Sequence, residues 1–224
     1  MTEDGRPIRS IVTGRRRIVT GSYASRKSGR AQVFESMNEH AHFMHCEVDP
    51  WIVEYRAQPF RLEMVLGGRK RIYIADCVRL TAAGAVEVVE VKGDAKSLRE
   101  PDYAAKLERV GQLCELVGWS FVTLTRQQIV EPQARHRNVE IVQQQRMTHF
   151  DERHVYEVQN HLERCGGCAE LDDLAGRLGH PTVGRSIVGA MMVARIVAID
   201  LTEKLGPSSV VGAMNDAHEW GVLS

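Results

Sequence analysis

The 224-residue chain has no run of 18 apolar residues, so no segment reads as membrane-spanning. It has no Gly-rich phosphate loop, and no motif supports a Ser/His/Asp nucleophile. The N-terminus is charged and holds no apolar signal core, which predicts a protein that is not exported. Cysteine is sparse: five residues, an odd number without framework spacing, as suits a reducing cytoplasm. Net charge is absent too, with 29 basic residues against 29 acidic ones, so the overall balance gives no sign of nucleic acid. Internal repeats and low-complexity tracts are missing. What remains is the composition of an ordinary globular protein, long enough for one or two domains.

Charge is nevertheless unevenly spread. Residues 1–30 carry Arg6, Arg9, Arg15, Arg16, Arg17, Arg26, Lys27 and Arg30 against Glu3 and Asp4. Such an arm suits phosphate binding. A solvated tail has the same composition.

Residues 71–94 hold the densest chemistry. Two β-rich runs flank Thr81–Ala85, a hairpin signal. The first run places Asp76 mid-strand. The second sets Glu90 and Lys92 two residues apart, so both leave one face while Val89 and Val91 leave the other. Carboxylates held close together raise each other's pKa, and a divalent cation relieves this. The set suits metal-assisted phosphodiester hydrolysis, with carboxylates on the ion and the lysine at the water or phosphate. An ordinary half-solvated strand with a cross-strand salt bridge alternates in the same way.

Phe34, Met37, Ala41 and Met44 predict an amphipathic helix over residues 31–46, with Glu35 and Glu39 sharing another face. Strands are expected at 51–56 and 59–66, then a turn at Gly67-Gly68. A helix over about 102–117 should bury Tyr103, Leu107, Val110, Cys114 and Val117, followed by a strand at 120–125. This order predicts an α/β sandwich around a mixed sheet. Composition shifts near residue 130. Beyond it, Leu171–Leu178 and a helix from about 183 to 197 resemble a helix-turn-helix, and a hairpin from Ile199 to Val211 would add a wing. The second helix is too apolar to read bases, so a buried helix or a Met-rich docking surface fits it better.

Asp, a hairpin turn and Glu-x-Lys together resemble the core of the PD-(D/E)xK nuclease superfamily. Four stretches resemble, in order, the TnsA-like transposon-end endonucleases. They are Ser25-Arg26-Lys27-Ser28-Gly29-Arg30, Glu35-Ser36-Met37-Asn38-Glu39, Gln58-Pro59-Phe60, and Tyr73-Ile74-Ala75-Asp76 leading to Glu90-Val91-Lys92. The likeness covers about residues 20–130, and the helical tail resembles the family's C-terminal domain more weakly. Ala75 stands where the family usually has a proline, which bears on local strand geometry only.

The resemblance implies a basic arm (1–30), a restriction-endonuclease-like domain (31–130) with a mixed sheet flanked by helices, and a small, mainly helical, winged-helix-like domain (131–224). It implies a cytoplasmic endonuclease, dependent on Mg²⁺ or Mn²⁺, that nicks double-stranded DNA at transposon ends on the strand its partner does not cut. A DDE transposase and an AAA+ ATPase regulator are the implied partners. Asp76 and Glu90 would ligate the metal, with the Val91 carbonyl as a further ligand. Glu39 would be a third carboxylate, and Lys92 would act on the nucleophile or phosphate. Gln58 would lie near the site, contacting DNA or water, or else capping a loop. The rival readings are a repair or restriction nuclease of the same superfamily and a non-catalytic assembly or DNA-binding module.

Two further groups carry less. Cys165-Gly166-Gly167-Cys168 has only His161 nearby, whereas structural zinc takes four ligands. The Gly-Gly pair reads as the end of the helix holding Val155, Val158 and Leu162. His40, His42 and His45 fall on different helix faces, which argues against a metal site made of the three.

Overall fold

The described region, residues 19–214 of a computed structural model, begins as a β-hairpin. Strands β1 (Gly21–Ser25) and β2 (Arg30–Phe34) pair antiparallel. The helix expected over 31–46 therefore starts late, as α1 (Met37–Val48). Gln32 and Phe34 turn inward at period two, and Gln32 Oε1 accepts the Ala57 N–H at 2.8 Å. Met37, expected in the buried stripe, is 51% exposed.

Strands β3 (Ile52–Ala57), β4 (Arg61–Leu66), β5 (Arg69–Ile74), β6 (Cys77–Thr81) and β7 (Val86–Lys92) follow. Gly67 and Gly68 take φ of +58° and +72°, as a two-residue hairpin between β4 and β5 demands. The other turn closes where the Thr81 N–H donates to the Ala85 carbonyl at 2.9 Å. Two helices, α2 (Ala95–Leu98) and α3 (Pro101–Leu116), carry the chain over to β8 (Ser120–Thr125), which runs parallel to β7. A crossover of this kind is what a parallel pair requires. The main sheet has the order β3-β6-β7-β8 and is mixed, with β4-β5 as a separate pair. The fold is mixed α/β, with a mixed sheet flanked by helices.

Asp76 is not mid-strand. The chain breaks at Ala75 and Asp76, where it leaves β5 for β6 and changes sheet. Nor is β7 half-solvated. It lies between β6 and β8, and Val88, Val89, Glu90 and Val91 are all buried. On one side Val88, Tyr73 and Ala75 pack with Leu107, Val110 and Cys114 of α3. Val117 follows that helix as its C-cap and is exposed, not buried as expected.

Residues 19–46 and 52–129 form one unit; residues 47–51 and 130–214 form another. The short helix α4 (Arg126–Val130) ends the first. The second contains α5 (Gln133–Gln144), α6 (Glu152–Arg164), β9 (Cys168–Glu170), α7 (Leu171–Arg177), α8 (Pro181–Val193), β10 (Val197–Ile199) and β11 (Val210–Ala213). Its three strands form an antiparallel sheet of order β10-β11-β9. α8 stops short of the expected 197, because Arg195 takes φ +63° and β10 begins two residues on. Gly184 lets α8 cross close to α7: a Cβ there would drive into the Ala175 carbonyl. Met191 and Met192 are buried, so α8 is a core helix and not a Met-rich surface. Among the described residues no helix is long and apolar enough to cross a membrane.

Candidate active site

The β6–β7 ladder ends at the pair Cys77↔Val89. One step further, Asp76 Oδ2 accepts the Val91 N–H at 2.8 Å, a donor the ladder would otherwise have used. The Gln58 N–H in turn donates to the Asp76 carbonyl at 3.2 Å. The strand break thus fixes Asp76 by its backbone and its side chain while leaving it half-buried. Val91, expected to offer a carbonyl, enters this geometry through its N–H.

Glu90 is only 3% exposed. Its two oxygens have different fates. Oε1 accepts from Lys92 Nζ at 2.8 Å and from the Tyr103 hydroxyl. Oε2 is buried with no donor within hydrogen-bond distance, and the Tyr73 hydroxyl, also buried and unpartnered, is close enough to act on Glu90. Burial, together with the charges of Glu90 and Glu39, pushes Asp76 up to about 8, against the pull of the Val91 N–H and Lys92. Burial draws Lys92 down, but the Glu90 charge and hydrogen bond outweigh it and hold the ammonium above the ordinary lysine value.

Glu39 reaches the neighbourhood from the first turn of α1, and its oxygens are already engaged. Oε2 accepts the Glu35 N–H and Oε1 the Ser36 hydroxyl, both at 2.9 Å, while the Glu39 N–H donates to Ser36 Oγ at 3.1 Å. The Ser36 bond is the first half of the capping box that Ser-x-x-Glu encodes at a helix start, while the carboxylate takes the N–H of Glu35, one residue earlier. Burial raises the Glu39 pKa most, and the Glu35 charge adds to it. Glu39 therefore acts on Asp76 as a charge while it caps α1.

The oxygen set fits a hard divalent cation. Glu90 Oε2 and Gln58 Oε1 are both buried acceptors without donors, and Gln58 flanks Asp76 through its backbone bond. Carboxylate and amide oxygens are what Mg²⁺ prefers. Glu39, Asp76 and Glu90 do not close into one tight trio. Among the described residues the group of three ligand atoms within 4.8 Å of one another is His42, Cys46 and Cys77.

Arg26, Lys27 and Arg30 lie at the β1–β2 turn. Lys27 Nζ donates to the Cys46 carbonyl at 2.9 Å, so that ammonium also secures the end of α1. Arg15, Arg16 and Arg17 lie outside the described residues. Cys165 and Cys168 are exposed, and His161 is drawn to Asp173 at 2.6 Å. Two residues at the site went unassigned in the sequence reading. Ser36 carries a legible signal, the capping box. Tyr103 sat among the expected core residues of α3, and nothing local showed that its hydroxyl points at Glu90. No protein-family model matches the chain, and no curated protein matches it.

Proposed function

We propose that the chain is a metal-dependent DNA endonuclease working at Asp76, Glu90 and Lys92, with Mg²⁺ or Mn²⁺ as cofactor. One observation carries the reading: the two oxygens of Glu90 are divided. Lys92 and Tyr103 occupy one, and the other is buried with only the Tyr73 hydroxyl nearby, beside an Asp76 carboxyl that resists ionising alone. A carboxylate oxygen unpaired in the interior is costly unless a cation meets it.

Asp76 and Glu90 would hold the ion, with Gln58 tied to Asp76 by its backbone N–H. When bound, the ion supplies positive charge at the scissile phosphate and lowers the pKa of an attacking water. Asp76 must release its proton for this, so metal binding and proton loss are coupled. Lys92 stays an ammonium. It therefore does not abstract a proton; it stabilises negative charge developing on the phosphate. Tyr103 and Lys92 both hold Glu90 Oε1, which would leave Oε2 to the ion.

The motif resemblance extends the proposal to nicking at transposon ends beside a DDE transposase and an AAA+ ATPase regulator, in the cytoplasm. In the second unit, α7 and α8 followed by the antiparallel pair β10–β11 support a winged-helix reading. α8 is buried from Ile187 onward, so only its first turns face outward.

Conversion of supercoiled plasmid to relaxed circles tests the activity. The parent chain should nick in Mg²⁺ and not with a chelator. Asp76→Ala or Glu90→Ala should cost about 2.7–4 kcal/mol of barrier, roughly a hundredfold or more. Unchanged nicking by either variant, with native circular dichroism, would remove the proposed site.

A further inference from the structure

Past Glu39, α1 carries a second set of chemistry-bearing side chains. His42 and Cys46 are four residues apart and share one face. Cys46 Sγ lies 3.4 Å from His42 Nε2 and 4.0 Å from Nδ1. Cys77, at the start of β6, meets them from the sheet. One ligand atom from each of the three lies within 4.8 Å of the other two. All are buried, at 2%, 1% and 0% exposure.

Buried cysteines alone are commonly just small apolar side chains. The imidazole changes the reading. Among the described residues, both ring nitrogens of His42 find the same polar neighbour, the Cys46 sulfur, which is a weak partner for a buried imidazole.

The geometry points to a binding site for a thiophilic d¹⁰ cation, Zn²⁺ or Cu⁺, held by His42, Cys46 and Cys77. Metal–sulfur and metal–nitrogen bonds of about 2.3 and 2.0 Å put S and N about 3.5 Å apart in a tetrahedral site, near the spacing present. Thiolate and imidazole are the ligands that soft and borderline cations take over Mg²⁺. Two thiolates and a neutral imidazole leave bound Zn²⁺ uncharged, which suits an interior position. With Cu⁺ one negative charge remains, and Arg79, two residues along β6, carries the nearby positive charge while paired to Glu87. Three ligands complete a trigonal Cu⁺ site, whereas Zn²⁺ would add a fourth. The bound ion would tie α1 to β6 one residue after Asp76. None of this rests on the nuclease proposal.

The test uses the full chain with Cys165→Ser and Cys168→Ser, so that the exposed pair cannot contribute. Anaerobic titration with Co²⁺ as a zinc probe, and with Cu⁺ against a Cu⁺-specific chelator, should show one equivalent of one of them bound. The Co²⁺ arm would carry a thiolate charge-transfer band. Asp76→Asn should leave uptake unchanged, while His42→Gln, Cys46→Ser or Cys77→Ser should abolish it. Should the cysteine variants misfold, X-ray absorption at the metal edge of the parent decides, with two sulfur scatterers and one nitrogen expected. Three outcomes overturn the assignment: no uptake in either arm, a shell of oxygen and nitrogen alone, or two thiols missing from titration without metal, which would mean a Cys46–Cys77 disulfide.

Discussion

Asp76 and Cys77 are neighbours in sequence, yet they face two clusters of opposite chemistry. Asp76 looks to Glu90, Lys92 and Tyr103, an oxygen-rich set that keeps partial access to solvent. Cys77 looks to His42 and Cys46, a sulfur-rich set that is closed. The strand break at Ala75–Asp76 is what parts them. A straight strand would also send successive side chains to opposite faces, but it would keep Asp76 in the ladder and use up the Val91 N–H. The break frees that N–H for the Asp76 carboxylate. Helix α1 serves both clusters, Glu39 at its start and His42 and Cys46 further along. The difference teaches that hard and soft donor sets can share a backbone segment without sharing side chains.

The sharpest way to break the comparison beyond the metal ligands is at Lys92. Lys92→Ala should keep Mg²⁺ binding by calorimetry and lose about a hundredfold in nicking, because in the proposed reaction the ammonium acts on the phosphate. Lys92→Arg should rescue poorly, since a planar fork does not replace a compact ammonium against Glu90 Oε1. Mg²⁺ binding lost together with turnover would make Lys92 a structural partner of Glu90 instead. Uptake of Co²⁺ or Cu⁺ should not respond to either change.

Next comes Tyr103→Phe. The ring that Lys92 and Lys106 approach at 5.2 and 4.6 Å is kept, and only the donor to Glu90 is lost. A hydrogen bond to a charged group contributes about 1.5–3 kcal/mol, so nicking should fall roughly tenfold or more with little change in fold. Full activity would show that Glu90 needs only Lys92.

Much of this fold was legible. The alternation of 86–92, the Gly67-Gly68 turn and the helical spacing of Leu107, Val110 and Cys114 act locally, so the mixed sheet flanked by helices followed from them. The helix over 31–46 did not, because Phe34, Met37, Ala41 and Met44 fit period 3.6 while Gln32 and Phe34 fit period two; the Ala57 N–H waiting for Gln32 decided it. The Asp76 break was hidden because Ala75 and Asp76 sit inside a β-rich run. Glu90 and Lys92 were visible as a same-face pair, whereas Tyr103 belongs to the site only through tertiary packing. The same holds for His42 and Cys46: their spacing is plain, but Cys77 joins them from another element.

The pH dependence of stability separates the two clusters. The folded pKa of Asp76, at about 8, lies above its ordinary 3.8. Between those values the folded chain keeps a proton that the unfolded chain has released. The Asp76 contribution to the stability of the metal-free protein is therefore fully present below about pH 4 and is lost as pH rises towards about 8. Asp76→Asn removes the Asp76 part of the pH dependence and should raise the melting temperature at pH 8 by a few degrees, since the amide oxygen can still accept the Val91 N–H. A parent protein whose melting temperature is flat from pH 5 to 8, measured with chelator, would show that Asp76 ionises freely.

The smallest effect asks what Glu39 does. Ser36→Ala removes the side chain that accepts the Glu39 N–H and donates to Glu39 Oε1. Loss of an N-cap costs about 1 kcal/mol. If Glu39 is mainly a cap, the variant should lose that stability in a denaturant titration and nick at nearly the parent rate. Freed from Ser36, the Glu39 carboxylate would otherwise swing towards the cation, and Mg²⁺ affinity would rise while stability fell. Because α1 also carries His42 and Cys46, soft-metal uptake in the same variant reports whether fraying the first turn reaches the rest of the helix. The Glu35 N–H and Lys27 bonds hold its two ends, so that uptake should be unchanged.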